Sequence, residues 1–145
     1  PYLIITDEMT HALSLAAKRG VDVRIITPGI PDKKMIYQVT RSFYHELVKN
    51  GVRIYEWTPG FCHAKMSVAD DCMATIGTIN LDYRSLYHHF ENGCYLVDNP
   101  AVLSIREDLE KTMGQSREVS EKYKTGRSAY LRLGQLFMRL FAGLL

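Results

Sequence analysis

The sequence predicts an α/β fold, a mixed β-sheet flanked by helices, from three observations. Apolar, β-branched segments at residues 2–6, 21–27 and 52–57 alternate with segments of helical periodicity. The joints between these segments are short, and strand–helix–strand units of this kind pair their strands in parallel. Two later β-rich segments, joined at Asp70-Asp71, indicate a hairpin, whose strands are antiparallel.

Local signals define the elements in chain order. Asp7 caps the first helix, and Gly20 ends it. Apolar residues recur at helical spacing over residues 33–50, which predicts a second helix that Gly51 ends. The later strands are predicted over residues 61–69, 72–76 and 91–97, and a third helix over residues 99–114.

We divide the chain into an α/β half-domain (1–114), a polar connecting segment (115–127) and an amphipathic C-terminal helix (128–145). One face of that helix is apolar, so the helix packs against protein or rests on an anionic membrane surface. Packing is the more common role of such an apolar face and is the one we favour.

The composition is that of a globular domain, with 46% apolar and 23% charged residues. Lys and Arg number 18 against 16 Asp and Glu, and a net charge of +2 does not indicate nucleic-acid binding. No uninterrupted apolar stretch is long enough to span a bilayer. Because the chain opens in the apolar run at residues 2–5, we expect that its first strand has been cut and that any membrane anchor lies upstream.

The residue types suited to catalysis cluster around the predicted hairpin. His63 and Lys65 are two residues apart on one strand, so their side chains share a face. An imidazole beside a fixed cation suits an anionic substrate, because the cation neutralises charge while the imidazole attacks or donates a proton. Gly77 opens the loop after the next strand, where Thr78, Asn80 and backbone N–H groups can hold phosphate oxygens.

His63 also needs a carboxylate that fixes its tautomer and leaves the other ring nitrogen free to react. Glu91, at the start of a later strand, is the candidate for this role. Asp70 lies at the hairpin turn, off the His63 face if the strand alternates regularly that far. We therefore assign Asp70 a supporting role, such as an ion pair or a turn cap.

The spacing of these residues resembles the HKD motif of the phospholipase D superfamily: His-x-Lys, four residues, Asp, six residues, then Gly-Thr-x-Asn. Gly-Thr replaces the usual Gly-Ser and keeps the hydroxyl group. Residues 78–85 and 89–92 resemble bacterial cardiolipin synthases, as do residues 1–2, 20–26 and 28–32. The resemblance covers nearly the whole chain.

This resemblance implies one half of a bilobal fold and an enzyme with two HKD motifs. One motif's histidine forms a phosphatidyl-histidine intermediate, and the other's protonates the leaving alcohol. Two molecules of phosphatidylglycerol then give cardiolipin and glycerol at the cell membrane, on the cytoplasmic side, without a metal or cofactor. Glu91 matches the family's downstream acid, which orients the histidine.

The chain departs from the family pattern because it carries one motif where a complete site needs two. A missing N-terminal half can supply the other motif. This would then be the second motif, and His63 would be the general acid, since the nucleophile more often belongs to the first. Alternatively, two copies pair about a two-fold axis to form a homodimeric phosphodiesterase or nuclease. Without either partner, we expect an inactive segment.

Three other readings are disfavoured. His88, His89, His63 and Glu91 suggest a metal site, but adjacent residues on a strand point to opposite faces. The same geometry separates Cys62 from His63 and disfavours a Cys–His nucleophile pair. The intact motif argues against a degenerate half that serves only packing or lipid binding.

Overall fold

The computed structural model describes residues 2–125 and Phe137. Within these residues the predicted α/β class is confirmed, because strands in parallel and antiparallel pairs are flanked by helices. The predicted C-terminal helix over residues 128–145 lies, apart from Phe137, outside the described residues.

The predicted strands and helices of residues 2–114 appear in the predicted order, and two short strands, a short helix and a π-helical turn are additional. The strands are β1 (Leu3–Ile4), β2 (Arg24–Pro28), β3 (Arg53–Trp57), β4 (Met66–Ala69), β5 (Met73–Gly77), β6 (Leu81–Asp82), β7 (Gly93–Val97) and β8 (Arg117–Glu118). The helices are α1 (Asp7–Lys18), α2 (Lys34–Lys49), α3 (Pro100–Gln115) and α4 (Ser120–Lys124), and a π-helical turn spans Arg84–His88.

The described strands form three sheets. β2 and β3 pair in parallel, as the strand–helix–strand pattern predicts, and β8 joins β3 antiparallel. β1 pairs in parallel with β6. β4, β5 and β7 form an antiparallel sheet in which β5 is the central strand. The site residues of the motif lie along this third sheet and just beyond its ends.

Side-chain caps explain where two helices begin. The Thr6 hydroxyl accepts a hydrogen bond from the Met9 N–H at 3.2 Å, so Thr6, not the predicted Asp7, caps α1. The aspartate instead occupies the first turn, where its charge favours the helix dipole. Asn99 caps α3 through the Ala101 N–H, with proline at the first helical position as predicted.

The hydrophobic core lies between α2 and the strands β1 and β3. The buried apolar residues of this cluster are Leu3, Ile4, Ile5, Val39, Phe43, Tyr44, Leu47, Val48, Val52, Ile54, Val119 and Tyr123. Two of them, Val119 and Tyr123, come from the segment predicted to be a polar connection. The Tyr123 ring meets Tyr44 edge-on at 4.9 Å between centroids. Residues 117–124 therefore pack as part of the domain.

Leu47 tests this core. We expect Leu47→Ala to lower the free energy of unfolding by about 2–5 kcal/mol, because the side chain is fully buried and its truncation leaves a cavity. The matched control is Leu103→Ala on α3, where the leucine is 49% exposed, and a change below about 0.5 kcal/mol is expected. Urea denaturation followed by circular dichroism measures both, and equal losses would contradict the core described here.

Candidate functional site

His63 and Lys65 precede the regular strand that was predicted to carry them. The predicted strand over residues 61–69 begins only at Met66. The last rung of the ladder is the Gly77 N–H, which donates to the Lys65 carbonyl oxygen at 3.1 Å. The next N–H along the chain, that of Thr78, donates to the Asn92 carbonyl oxygen at 2.8 Å. The segment that carries His63 therefore has no further backbone partner on β5.

The two side chains nevertheless meet, as the sequence predicts. The Lys65 Nζ atom lies 3.1 Å from both ring nitrogens of His63. It also donates a hydrogen bond to the His63 carbonyl oxygen at 2.8 Å. The ring of Phe61 lies 5.8 Å from the imidazole between centroids. His63 is exposed and Lys65 is half-buried, so the imidazole faces solvent beside a partly shielded cation.

Burial is the main influence on the Lys65 ammonium. Desolvation lowers the pKa of Lys65 from its ordinary value, and the negative charges of Glu91 and Asp82 oppose that shift. A cation that is only partly solvated is suited to an anionic ligand, because less water must be displaced from the cation when the ligand binds.

Lys65 opens onto a cavity of about 430 Å³. Gly77 and Asn80 line the same cavity, whose other walls come largely from apolar side chains of β2 and of the β4–β5–β7 sheet. The Asn80 side-chain oxygen is buried and has no hydrogen-bond partner among the described residues. Three of the predicted phosphate-site residues thus share one space, while His63 is not among the residues lining it.

Thr78 makes different contacts from those expected of a phosphate ligand. Its hydroxyl donates to Glu91 Oε2 and accepts a hydrogen bond from the Asn92 N–H at 3.0 Å. A hydroxyl has one proton to donate, and its shorter contact is with the carboxylate, at 2.5 Å against 3.2 Å to the Asn92 carbonyl oxygen. The structure therefore connects Thr78 to Glu91, which the sequence had placed in a separate role.

Glu91 is held by hydroxyl groups on both of its oxygens. Ser85 Oγ donates to Glu91 Oε1 at 2.8 Å, opposite the bond from Thr78, and His89 Nδ1 lies 3.7 Å from Oε1. The hydrogen bonds from Thr78 and then Ser85 lower the pKa of Glu91, with smaller contributions from the charges of His89 and Lys65. The hydrogen bonds of the described residues do not join Glu91 to His63.

Asp70 lies away from these residues. It sits in the turn between β4 and β5 with φ 49°, and Asp71 follows with φ 60°. Both values belong to the left-handed region that Asp tolerates better than most residues. The length of β4 separates this turn from Lys65 by roughly 16 Å, at the usual rise per residue. This position fits a structural role for Asp70 in the turn. It does not fit a contact between Asp70 and the His63 ring.

Sequence reasoning missed Ser85 as a partner of Glu91 and considered His89 beside Glu91 only as a metal ligand. Ser85 reaches Glu91 from a π-helical turn over residues 84–88, where the sequence offered no prediction of a helix. His88 therefore ends a helical turn and does not lie on a strand. In the part of the chain that the structure describes, no group of three or more His, Cys, Asp or Glu residues is placed to hold a metal ion.

Gly77 allows the approach of two strands beside the site. A Cβ atom at this position would clash with the carbonyl oxygen of Asn92 and the Cα atom of Gly93, both of them backbone atoms. The sequence assigned this glycine to close approach of a ligand, and the structure shows close approach of β7. Because Gly77 has no side chain, β7 packs closely against β5. Glu91, two residues before β7, is thereby placed beside Thr78.

We expect Gly77→Ala to lower the free energy of unfolding by about 1–3 kcal/mol, because backbone atoms must shift to admit the methyl group. The matched control is Gly114→Ala in α3, where the added carbon meets no atom within 4 Å outside its neighbours and its own helix backbone. There we expect a gain of up to about 1 kcal/mol from helix propensity. Thermal denaturation of both variants measures the difference, and a neutral Gly77→Ala would argue against the close strand contact.

Comparisons with known proteins identify the family. The family described as "Cardiolipin synthase, PLD-like domain" matches residues 1–113. An uncharacterized protein of Streptococcus mutans is 49% identical over the whole chain, which covers 32% of that protein. Cardiolipin synthase 2 of Bacillus cereus is 35% identical over the whole chain, which covers 28% of that enzyme. The chain thus spans about a third or less of the length of these relatives.

A solved structure shares the fold. Nuc from Salmonella typhimurium, a phospholipase D family member, matches with a TM-score of 0.70. The match covers 81% of this chain and 76% of that chain at 20% sequence identity. The resemblance inferred from the HKD spacing is confirmed, and this chain belongs to the family of cardiolipin synthase, PLD-like domains.

Proposed function

We propose that this chain supplies one of two half-sites of an enzyme that transfers a phosphatidyl group between phospholipids. The observation that carries the proposal is the contact between the Lys65 ammonium and the His63 imidazole. Lys65 also opens onto the cavity that Asn80 and Gly77 line. A phosphodiester placed there would meet the Lys65 cation, the Asn80 side-chain amide and an apolar wall.

The reaction needs two histidines, one from each half-site. In the first step, a nitrogen of one histidine bonds to the phosphorus of phosphatidylglycerol. The bond from phosphorus to the oxygen of the head-group glycerol breaks, and the other histidine gives its proton to that oxygen. In the second step, the hydroxyl of another phosphatidylglycerol loses its proton to this second histidine and bonds to phosphorus, while the phosphorus–nitrogen bond breaks. The products are cardiolipin and glycerol.

The residues of this half-site take separate roles in that scheme. His63 acts as nucleophile or general acid. Lys65 stabilises the charge on the non-bridging phosphate oxygens, with the Asn80 side-chain amide as a further donor. Gly77 lines the cavity, but its N–H is already donated to the Lys65 carbonyl oxygen. Glu91 orients His63 when substrate completes the site, and the charge interaction between Glu91 and Lys65 supports its place beside the motif. Thr78 contributes through its hydrogen bond to Glu91.

The second half-site comes from the rest of a longer polypeptide or from a second copy of the chain. The chain's 28–32% share of its relatives' length supports the first source. We propose phosphatidylglycerol in a membrane surface as the substrate, with the catalytic segment at the cytoplasmic face. None of the helices described within residues 2–125 has the length and hydropathy needed to cross a bilayer.

Replacing His63 by Asn in the full-length protein should reduce cardiolipin formation by at least about 1,000-fold, because asparagine cannot form the intermediate or transfer the proton. Thin-layer chromatography of lipids formed from labelled phosphatidylglycerol measures the product. The matched control is His11→Asn, an exposed histidine of α1, which should retain activity. Retained activity in the His63 variant would refute the assigned role.

The alternative is a homodimeric phosphodiesterase or nuclease built on the same half-site. Analytical ultracentrifugation of the 145-residue chain, together with a hydrolysis assay on a generic phosphodiester, separates the two hypotheses. We expect a monomer without hydrolytic activity, because a single motif lacks its partner histidine. A dimer that cleaves the diester would favour the alternative over the proposed transferase.

A further inference from the structure

Ser85 lies outside the HKD motif but contacts the one carboxylate assigned to the reaction. Its hydroxyl donates to Glu91 Oε1 at 2.8 Å, while Thr78 donates to the other oxygen, Oε2. The two donors come from different elements, Ser85 from the π-helical turn and Thr78 from the loop after β5. Each oxygen of the Glu91 carboxylate therefore accepts a hydrogen bond from a different element, which restricts the orientation of the carboxylate.

Ser85 is itself fixed in place. The residue is buried, with 7% of its surface exposed, and its backbone N–H donates to Asp82 Oδ1 at 2.8 Å. Asp82 is also buried and belongs to β6, which pairs with β1. This anchoring means that the Ser85 hydroxyl does not need to be ordered when substrate binds, so its donor is already aimed at Glu91.

We propose that Ser85 is a positioning residue, whose hydroxyl works with Thr78 to keep the Glu91 carboxylate ionised and correctly oriented for the histidine chemistry. This inference rests on the proposed function, because it assigns Glu91 to that reaction. Ser85 does not touch the reacting atoms in this scheme. Ser85 acts through Glu91. In other proteins, residues one step removed from a histidine likewise act by orienting the carboxylate that is bonded to it.

The charges around Glu91 define the expected pH dependence. His89 faces the carboxylate from the segment after the π-helical turn, and the charge of Lys65 acts on it from before β4. Asp82 of β6 contacts Ser85, not Glu91, through the Ser85 backbone N–H. The hydroxyl hydrogen bonds favour the ionised carboxylate and lower the pKa of Glu91. Removing one of the two donors raises that pKa, so the acid limb of the rate profile should move to higher pH.

The test compares three variants of the full-length protein, Ser85→Ala, Ser85→Thr and Ser42→Ala, and a fourth variant serves only to assign the NMR signal. Ser85→Thr keeps the hydroxyl. Ser42→Ala is the matched control, because Ser42 is equally buried at 7% exposure but donates to the Val39 carbonyl oxygen within α2. For each variant we would measure kcat against pH with phosphatidylglycerol, the melting temperature, and the titration of Glu91 by NMR of labelled glutamate carboxyl carbons. Glu91→Gln assigns the Glu91 signal.

We expect Ser85→Ala to lower kcat by about 10- to 100-fold, the range typical for loss of a partner that orients a histidine–carboxylate pair. The Glu91 titration and the acid limb should both move to higher pH, and Ser85→Thr should restore both. Ser42→Ala should leave both unchanged.

An unchanged Glu91 titration in Ser85→Ala overturns the inference. So does a shifted titration without any change in kcat, and so does a loss of kcat that follows only a lower melting temperature. If the wild-type protein forms no cardiolipin, the proposed function fails. The NMR titration then still decides whether Ser85 controls Glu91.

Discussion

The C-terminal end of β5 is the constraint on which the site depends, because it holds two chain segments at once. The Gly77 N–H binds the Lys65 carbonyl oxygen on one edge, and the next residue, Thr78, binds the Asn92 carbonyl oxygen on the other edge. One edge therefore positions the cation and the histidine before β4, and the other positions Glu91 before β7. Gly77 permits this convergence since any side chain there would meet backbone atoms.

Opposite charges are kept apart within this frame and are stabilised in different ways. The Lys65 cation contacts the His63 ring and carbonyl group beside an apolar cavity. The Glu91 anion is satisfied by the hydroxyl groups of Thr78 and Ser85. Each charge keeps its own hydrogen-bonding partners, so the cation is not neutralised by a direct ion pair with Glu91. The cation remains able to attract an anionic ligand, while the Glu91 carboxylate can stay ionised close by.

A buried ion cluster ties the end of the described domain to its centre. Glu56 on β3 is fully buried, and its carboxylate oxygens lie 3.4 Å from Arg41 Nε and 2.7 Å from Arg117 Nη2. Arg41 also contacts Tyr123 on α4. A buried carboxylate is tolerated only where cations compensate it, so the partners recruit residues 117–124 onto the core. This segment reads as a polar linker in sequence because its charges meet their partners only in three dimensions.

The sequence by itself determined the α/β class, the order of β1 to β5, β7 and α1 to α3, and the spacing of the motif. It did not predict β6 or the π-helical turn. These features depend on local periodicity, capping residues and residue identity, which can be read along one segment. Tertiary structure alone decided where β4 begins, and that the hydroxyl groups of Thr78 and Ser85 both donate hydrogen bonds to Glu91. Those outcomes depend on which strand edges and turns meet across long stretches of chain. Local patterns carry no information about such contacts, because the hydrogen bonds that define them exist only after the sheet has formed.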